Sequence, residues 1–125
     1  MDALQNLFNR RSVRDFTAQP IEEEKLHRIL EAGMSGPCCV NARDWSFIVV
    51  TDREKLLEMA AANGRPAQPL KKAAAAILIC GDLERAFPPA KDYWIIDGAI
   101  AVQNMTLCAD ALGLRSEERR VGKEC

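Results

Sequence analysis

The chain has 125 residues, 48% of them hydrophobic and 28% charged, and a formal net charge of -1; this suits one core and gives no global attraction to nucleic acid or anionic lipid. No run approaches the ~20 apolar residues that span a bilayer, and the opening "MDALQNLFNRR" lacks the basic-then-apolar order of a secretory signal, so a cytoplasmic protein with no membrane or nucleic-acid partner is expected. Cys38, Cys39, Cys80, Cys108 and Cys125 fit no C-x-x-C pattern and His27 is the only histidine, so no metal site is expected.

In chain order, Leu4, Leu7 and Phe8 fall at i, i+3 and i+4, a short helix whose apolar stripe needs a partner surface. Arg10, Arg11 and Arg14 close that helix around Ser12, and Val13 to Phe16 reads as a brief extended stretch before a turn at Thr17 to Pro20. "IEEEKLHRILEAGM" follows as a helix with Leu26, Ile29, Leu30 and Gly33 on one face and three glutamates at its positive end. Gly36 and Pro37 end it, and "PCCVNARD" is aperiodic loop.

"WSFIVVT" is a β-branched strand, "DREKLLEMAAA" a helix opened by an Asp cap, and "NGRPAQP" a loop of turn residues. "AAAAILICGD" is continuously apolar, as in a strand buried on both faces, and "LERAFPPA" is again loop. The last helix, "KDYWIIDGAIAVQNMTLCADALGL", is apolar nearly all round, which suits a central helix or a subunit interface. Trp45, Tyr93 and Trp94 read as core or interface residues rather than a stacking platform, and His27 as a surface residue. The pattern of helices with few strands is α+β or α/β.

The final "RSEERRVGKEC", Arg115 to Cys125, has no apolar period and looks like the translation of a common DNA-sequencing adapter in one reading frame. The expected division is therefore 1–114 as the domain and 115–125 as a non-native tail, with the natural protein continuing past Leu114. Taking away the tail's four basic and three acidic residues leaves 13 against 15, a formal charge of -2.

Three arginines in five positions present planar forks matched to phosphate oxygens, and Ser12 adds a hydroxyl donor. Alone, the cluster reads more readily as surface charge, solvated or paired with Asp2, Asp15 or the Glu22 to Glu24 run. Four stretches in order bear on the choice. "RRSVRDF" is similar to R-R-S-x-R-x-F, "LHRILEAGMSGP" to the helix that follows it, "PCCVNARDW" to P-S-x-x-N-x-Q-P-W, and "DYWIIDGAIAVQNMTLCADALGL" to D-x-G-x-x-x-Q-N-x-x-L-A-A-x-x-x-G-L. All four patterns belong to the nitroreductase family, which the chain resembles from Leu4 to Leu114. Departures are Cys38 for serine, Arg43 for glutamine and Asp44 for proline, the last two forming an adjacent opposite-charge pair expected near the flavin or substrate edge.

The resemblance implies an α+β nitroreductase-like fold, with a central mixed or antiparallel sheet flanked by helices and incomplete at the C-terminus. It also implies an FMN enzyme, homodimeric, that takes electrons from NADH or NADPH and passes them to a nitroaromatic, quinone or similar small acceptor in alternating half-reactions. Matched by motif, Arg10, Arg11 and Ser12 meet the FMN phosphate and ribityl chain and Arg14 the N1 and O2 edge; Pro37, Cys38, Cys39 and Asn41 contact the ring from the other subunit. Gln68 and Lys71 align with positions near the ring's polar edge, while Lys71 and Lys72 also read as a plain solvated pair. No acid–base side chain is required, since the cofactor carries the chemistry. Two other readings stand beside this one: a non-catalytic phosphate or nucleotide module built on the arginine cluster, and thiol redox chemistry at Cys38 and Cys39.

Overall fold

The computed structural model describes residues 2–17 and 19–116. Helix α1 (Ala3–Asn9) opens with a capping box, in which the Gln5 amide N–H donates to Asp2 Oδ1 at 2.9 Å and Gln5 Oε1 accepts the Asp2 N–H at 3.3 Å. The expected stripe forms but faces solvent: Leu4, Leu7 and Phe8 are 67%, 53% and 73% exposed. Its opposite side meets the last helix, where Asn6 Nδ2 donates to the Leu107 carbonyl at 3.0 Å.

Helix α2 (Glu23–Met34) begins two residues later than the apolar period suggests, with Glu23 and Glu24 in its first turn at the positive end of the dipole. It buries Ile29 and Gly33 against α4 (Tyr93–Ala111). A Cβ on Gly33 would come within 2.9 Å of Met105 Cγ, so the missing side chain sets how closely the two helices approach. Their joint core is Ile29, Met105 and Ala109, flanked by Ile21, Phe47, Ile77, Ile79, Cys108, Leu112 and Leu114.

Strands β1 (Trp45–Val50) and β2 (Ala76–Gly81) pair antiparallel, from Trp45 opposite Gly81 to Val50 opposite Ala76. The fold is α+β, with this two-stranded sheet lying against α4 among the described residues. The expectation that β2 is buried on both faces does not hold: no residue of β2 is fully buried and Leu78 is exposed, because β1 alone pairs with it. Ile48 and Val49 of β1 are likewise exposed. Val13 to Phe16, expected to be extended, forms no strand; its neighbour Ser12 makes a single parallel bridge with Ser116.

Helix α3 (Arg53–Ala62) is capped by Asp52, whose Oδ2 accepts the Lys55 N–H at 3.3 Å, and it buries Leu56 and Ala60. The following segment, Arg65–Lys71, winds as a 3-10 helix around Pro66 and Pro69 and packs back on α3. Helix α4 buries Asp97, Gly98, Ala101, Met105, Thr106, Ala109 and Asp110, so it is central as expected, yet Tyr93, Ile95 and Ile96 in its first turn remain exposed. None of the described helices is long and apolar enough to cross a membrane.

The chain leaves α4 through Gly113, whose φ of 82° permits the left-handed turn, and the Leu114 N–H returns to the Ala109 carbonyl at 2.9 Å. Arg115 then reaches the buried Asp110 carboxylate at 2.7 Å, and the Val13 N–H donates to the Ser116 carbonyl at 3.0 Å. The first two residues of the expected tail thus touch the domain; the rest of that expectation, 117–125, lies outside the described residues.

Candidate functional site

Of the sequence-matched residues, Lys71 lines a cleft with Phe16, just past the arginine run, and Pro37 to Asn41 lie on other elements. Arg10 caps the C-terminus of α1, its N–H donating to the Asn6 carbonyl at 3.2 Å. Arg11 folds back on the same helix end, its Nη1 donating to the Phe8 and Arg10 carbonyls at 2.9 Å each. One guanidinium nitrogen is therefore spent on α1, and the remaining donors of Arg11 are left for an anion. Ser12 sits in its bridge with Ser116, and Arg14 lies on the exposed run that follows.

That run meets the 3-10 segment. Lys72 Nζ pairs with Asp15 at 3.2 Å, and Phe16, Arg53, Lys71 and Lys72 line an open cleft of about 360 Å³. Arg53 is aimed there by its bond to the Lys71 carbonyl at 2.6 Å. Gln68 turns away: its Nε2 donates to the Gly64 and Ala60 carbonyls at 2.9 and 3.4 Å, and so holds the segment's own shape. Lys71 and Gln68 are neighbours in sequence but differ in what they offer; Lys71 lines the cleft and Gln68 braces it. Sequence reasoning passed over Phe16 and Arg53, for a helix-start arginine carries no motif.

Pro37 to Asn41 are tied to α4 and to the entry of β1. The Cys39 N–H donates to Asp97 Oδ1 at 3.0 Å, and Cys38 Sγ accepts the Arg43 N–H at 3.3 Å. Val40, Asn41 and Arg43 have φ of 46°, 55° and 51°, three left-handed residues in four positions. Asparagine tolerates that region, whereas a β-branched valine does not. Backbone strain of this kind clusters where a loop must present a definite surface.

The adjacent charges of Arg43 and Asp44 part company in the structure. Arg43 is exposed and reaches Asn41 Oδ1 at 3.5 Å, while Asp44 is fully buried with its side chain toward the Asp97 carboxyl group. Left-handed Arg43 turns its own side chain outward and sends the next residue in, which separates the two charges. Burial raises the Asp44 carboxyl above the usual carboxylate range, reinforced by the facing Asp97 carboxyl group and by the nearby charge of Asp82. Among the other thiols, burial pushes Cys108 upward, away from reactivity. His27 is exposed beside Glu23, at 3.9 Å. Trp45 is buried against Phe47, with ring centroids 5.1 Å apart, and Trp94 lies over Gly81, but Tyr93 is exposed rather than in the core.

Residues 7–79 match the model of the nitroreductase family. The chain belongs to that family. It is 39% identical over 114 residues to a Methanothermobacter thermautotrophicus protein provisionally named NADH dehydrogenase/NAD(P)H nitroreductase, covering 91% of this chain and 58% of the relative. A Bacillus subtilis FMN reductase [NAD(P)H] is 28% identical over 130 residues, covering 90% of this chain and 51% of its own. Among solved structures, an FMN-dependent nitroreductase of Clostridium difficile superposes with a TM-score of 0.79 at 37% identity, over 88% of this chain and 61% of that one. The nitroreductase chain described here thus spans between about half and two thirds of the length of these relatives.

Proposed function

We propose that this nitroreductase-family chain is the N-terminal part of an FMN-dependent oxidoreductase. In this reading it takes electrons from NADH or NADPH and delivers them to a nitroaromatic, quinone or similar acceptor in alternating half-reactions. The observation that carries the proposal is the meeting of the arginine run with the cationic cleft, in a chain whose motifs follow the family's order. Relatives named as FMN reductases and an FMN-dependent nitroreductase support the choice of cofactor.

The donor set suits FMN. Arg10, Arg11, Ser12 and Arg14 gather anion donors on one short run, whose far end at Asp15 and Phe16 meets Lys72 and the cleft lined by Lys71 and Arg53. In the proposal Arg10, Arg11 and Ser12 hold the phosphate and ribityl chain, Arg14 the N1 and O2 edge, and Lys71 the polar edge. Gln68 acts as a brace for the Lys71 segment. Pro37, Cys38, Cys39 and Asn41 serve the ring from a second copy of the chain. The chemistry supplied by a bound flavin is hydride transfer at N5, with negative charge left near N1 and O2. The part of the protein is to hold and orient the ring and to place a cation where that charge develops. Dimer formation is supported by apolar side chains left exposed on three elements: Leu4, Leu7 and Phe8 on α1, Ile48 on β1, and Ile95 and Ile96 on α4.

The test is FMN titration followed by anaerobic addition of NADH and NADPH to a version completed with the family's remaining length. Flavin absorbance that bleaches with either nucleotide is expected; bound flavin that neither nucleotide reduces would favour the non-catalytic module. Each charge-assisted contact contributes roughly 1.5–3 kcal/mol, so Arg10→Ala with Arg11→Ala should weaken FMN binding about 100-fold or more. Unchanged affinity would reduce the cluster to surface charge.

A further inference from the structure

Asp44 and Asp97 come from different elements, the entry of β1 and the second turn of α4, and both are buried, at 0% and 2% exposure. Of their four carboxylate oxygens, one accepts the Cys39 N–H; both oxygens of Asp44 and Oδ2 of Asp97 have no partner apart from the facing carboxyl group. Two carboxylates cannot hydrogen-bond each other, since each only accepts. One added proton changes that, turning the contact into a charge-assisted O–H···O bond and removing the repulsion of two buried charges.

Among the described residues, no cation is paired with either carboxyl group. From the exit of β2 come Asp82 and Arg85, but Arg85 Nε pairs with Asp82 at 3.8 Å and its Nη1 reaches the Arg43 carbonyl at 3.5 Å. The Arg43 side chain points out to Asn41, and the loop meets Asp97 through the Cys39 N–H. A third carboxylate at Asp82 adds to the negative charge.

We propose that Asp44 and Asp97 hold one proton between them, and that this shared proton fastens the Pro37–Asn41 loop to α4 until rising pH removes it and releases the loop. In the fastened state Asp97 is oriented by Asp44 and in turn holds Cys39 in place. When the proton passes to water, two adjacent buried anions remain, and the loop is the element free to move away from them. Asp44 stands where the family pattern has proline, so the device belongs to chains that carry this acid. Asp44 and Asp97 are positioning residues; the consequence for FMN rests on the function proposed above, while the proton-sharing itself does not.

The sign follows from proton counting. Native Asp44, buried against the Asp97 carboxyl group, keeps its proton at pH values where its unfolded carboxyl has lost it, so this contribution to stability declines as pH rises from the ordinary carboxylate range through the raised folded value. Asp44→Asn replaces the shared proton with an amide donor that does not titrate, and Asp97→Asn does so from the other side. The urea midpoint of the 125-residue chain without flavin is measured from pH 4 to pH 9 for wild type and both variants, with hydrogen-exchange protection of the Cys39 amide. The midpoint of each Asn variant should rise relative to wild type with pH and then level off, and Cys39 protection should fall with pH in wild type alone. A gap that stays constant with pH, or Cys39 protection that behaves alike in all three, would overturn the proposal. So would failure of both Asn variants to fold, since each supplies the hydrogen bond attributed to the proton. FMN titration of the completed protein over the same range then separates the two ideas: a growing stability gap with pH-independent FMN affinity keeps the acid pair and removes the loop from cofactor binding.

Discussion

Val40 shows what a single residue can hide from a sequence. Its φ of 46° places a β-branched side chain in the left-handed region, between Cys39, which is tied to Asp97, and Asn41. The cost of such a conformation is about 1–2 kcal/mol, and it persists because both flanks are anchored. Val40→Gly removes that strain but adds about 0.5–1 kcal/mol of backbone entropy to the unfolded chain. A net gain of about 0.5–1 kcal/mol is expected in urea denaturation, and a loss would mean that the exposed valine side chain makes a compensating contact. In the sequence this stretch shows only that it is loop, because φ leaves no compositional trace. Asp44 was hidden for a related reason: nothing in the composition of an aperiodic loop marks an acid for burial, and the left-handed turn at Arg43 accompanies its inward placement. Arg10, Arg11 and Ser12 were legible because a motif fixes residue identity and spacing together.

Among the elements, existence was easier to read than orientation. The i, i+3, i+4 period located α1, and Asp52 marked the start of α3, since capping and periodicity are local. Which side α1 buries is decided by Asn6 reaching the Leu107 carbonyl, a contact across 101 positions that no local pattern encodes. Strand β2 shows the same limit, for its apolar run reports what could be buried rather than what pairs with it. At its end, Gly81 lies under the Trp94 indole, so that a Cβ there would overlap the ring. Gly81→Ala must therefore push Trp94, and with it the first turn of α4, off the sheet. A loss of about 1–3 kcal/mol is expected for such overpacking, measured as a lower urea midpoint together with a shift in Trp94 emission. An unchanged midpoint and spectrum would show that the indole rotates aside without cost.

The whole molecule turns on where the domain stops. The sequence places that point at Leu114, because nothing after it has an apolar period and the last eleven residues look foreign. In the structure the next two residues touch the domain. Arg115 meets the Asp110 carboxylate at 2.7 Å, and Asp110 is only 7% exposed, so without Arg115 a buried charge loses its cation. Ser116 accepts the Val13 N–H at 3.0 Å, which fixes the arginine run next to the end of α4. Six of the nine residues from 117 to 125 are charged and Val121 is the only aliphatic one. Two cuts separate these contributions. Ending the chain after Ser116 should leave the urea midpoint within about 0.5 kcal/mol of the 125-residue chain, as expected for a surface change. Ending it after Leu114 should cost about 1–3 kcal/mol at neutral pH, the penalty for a buried charged group that loses its partner. Equal stability of the two shortened chains at neutral pH would place the boundary at Leu114 after all, and a large loss on cutting after Ser116 would make residues 117–125 part of the fold.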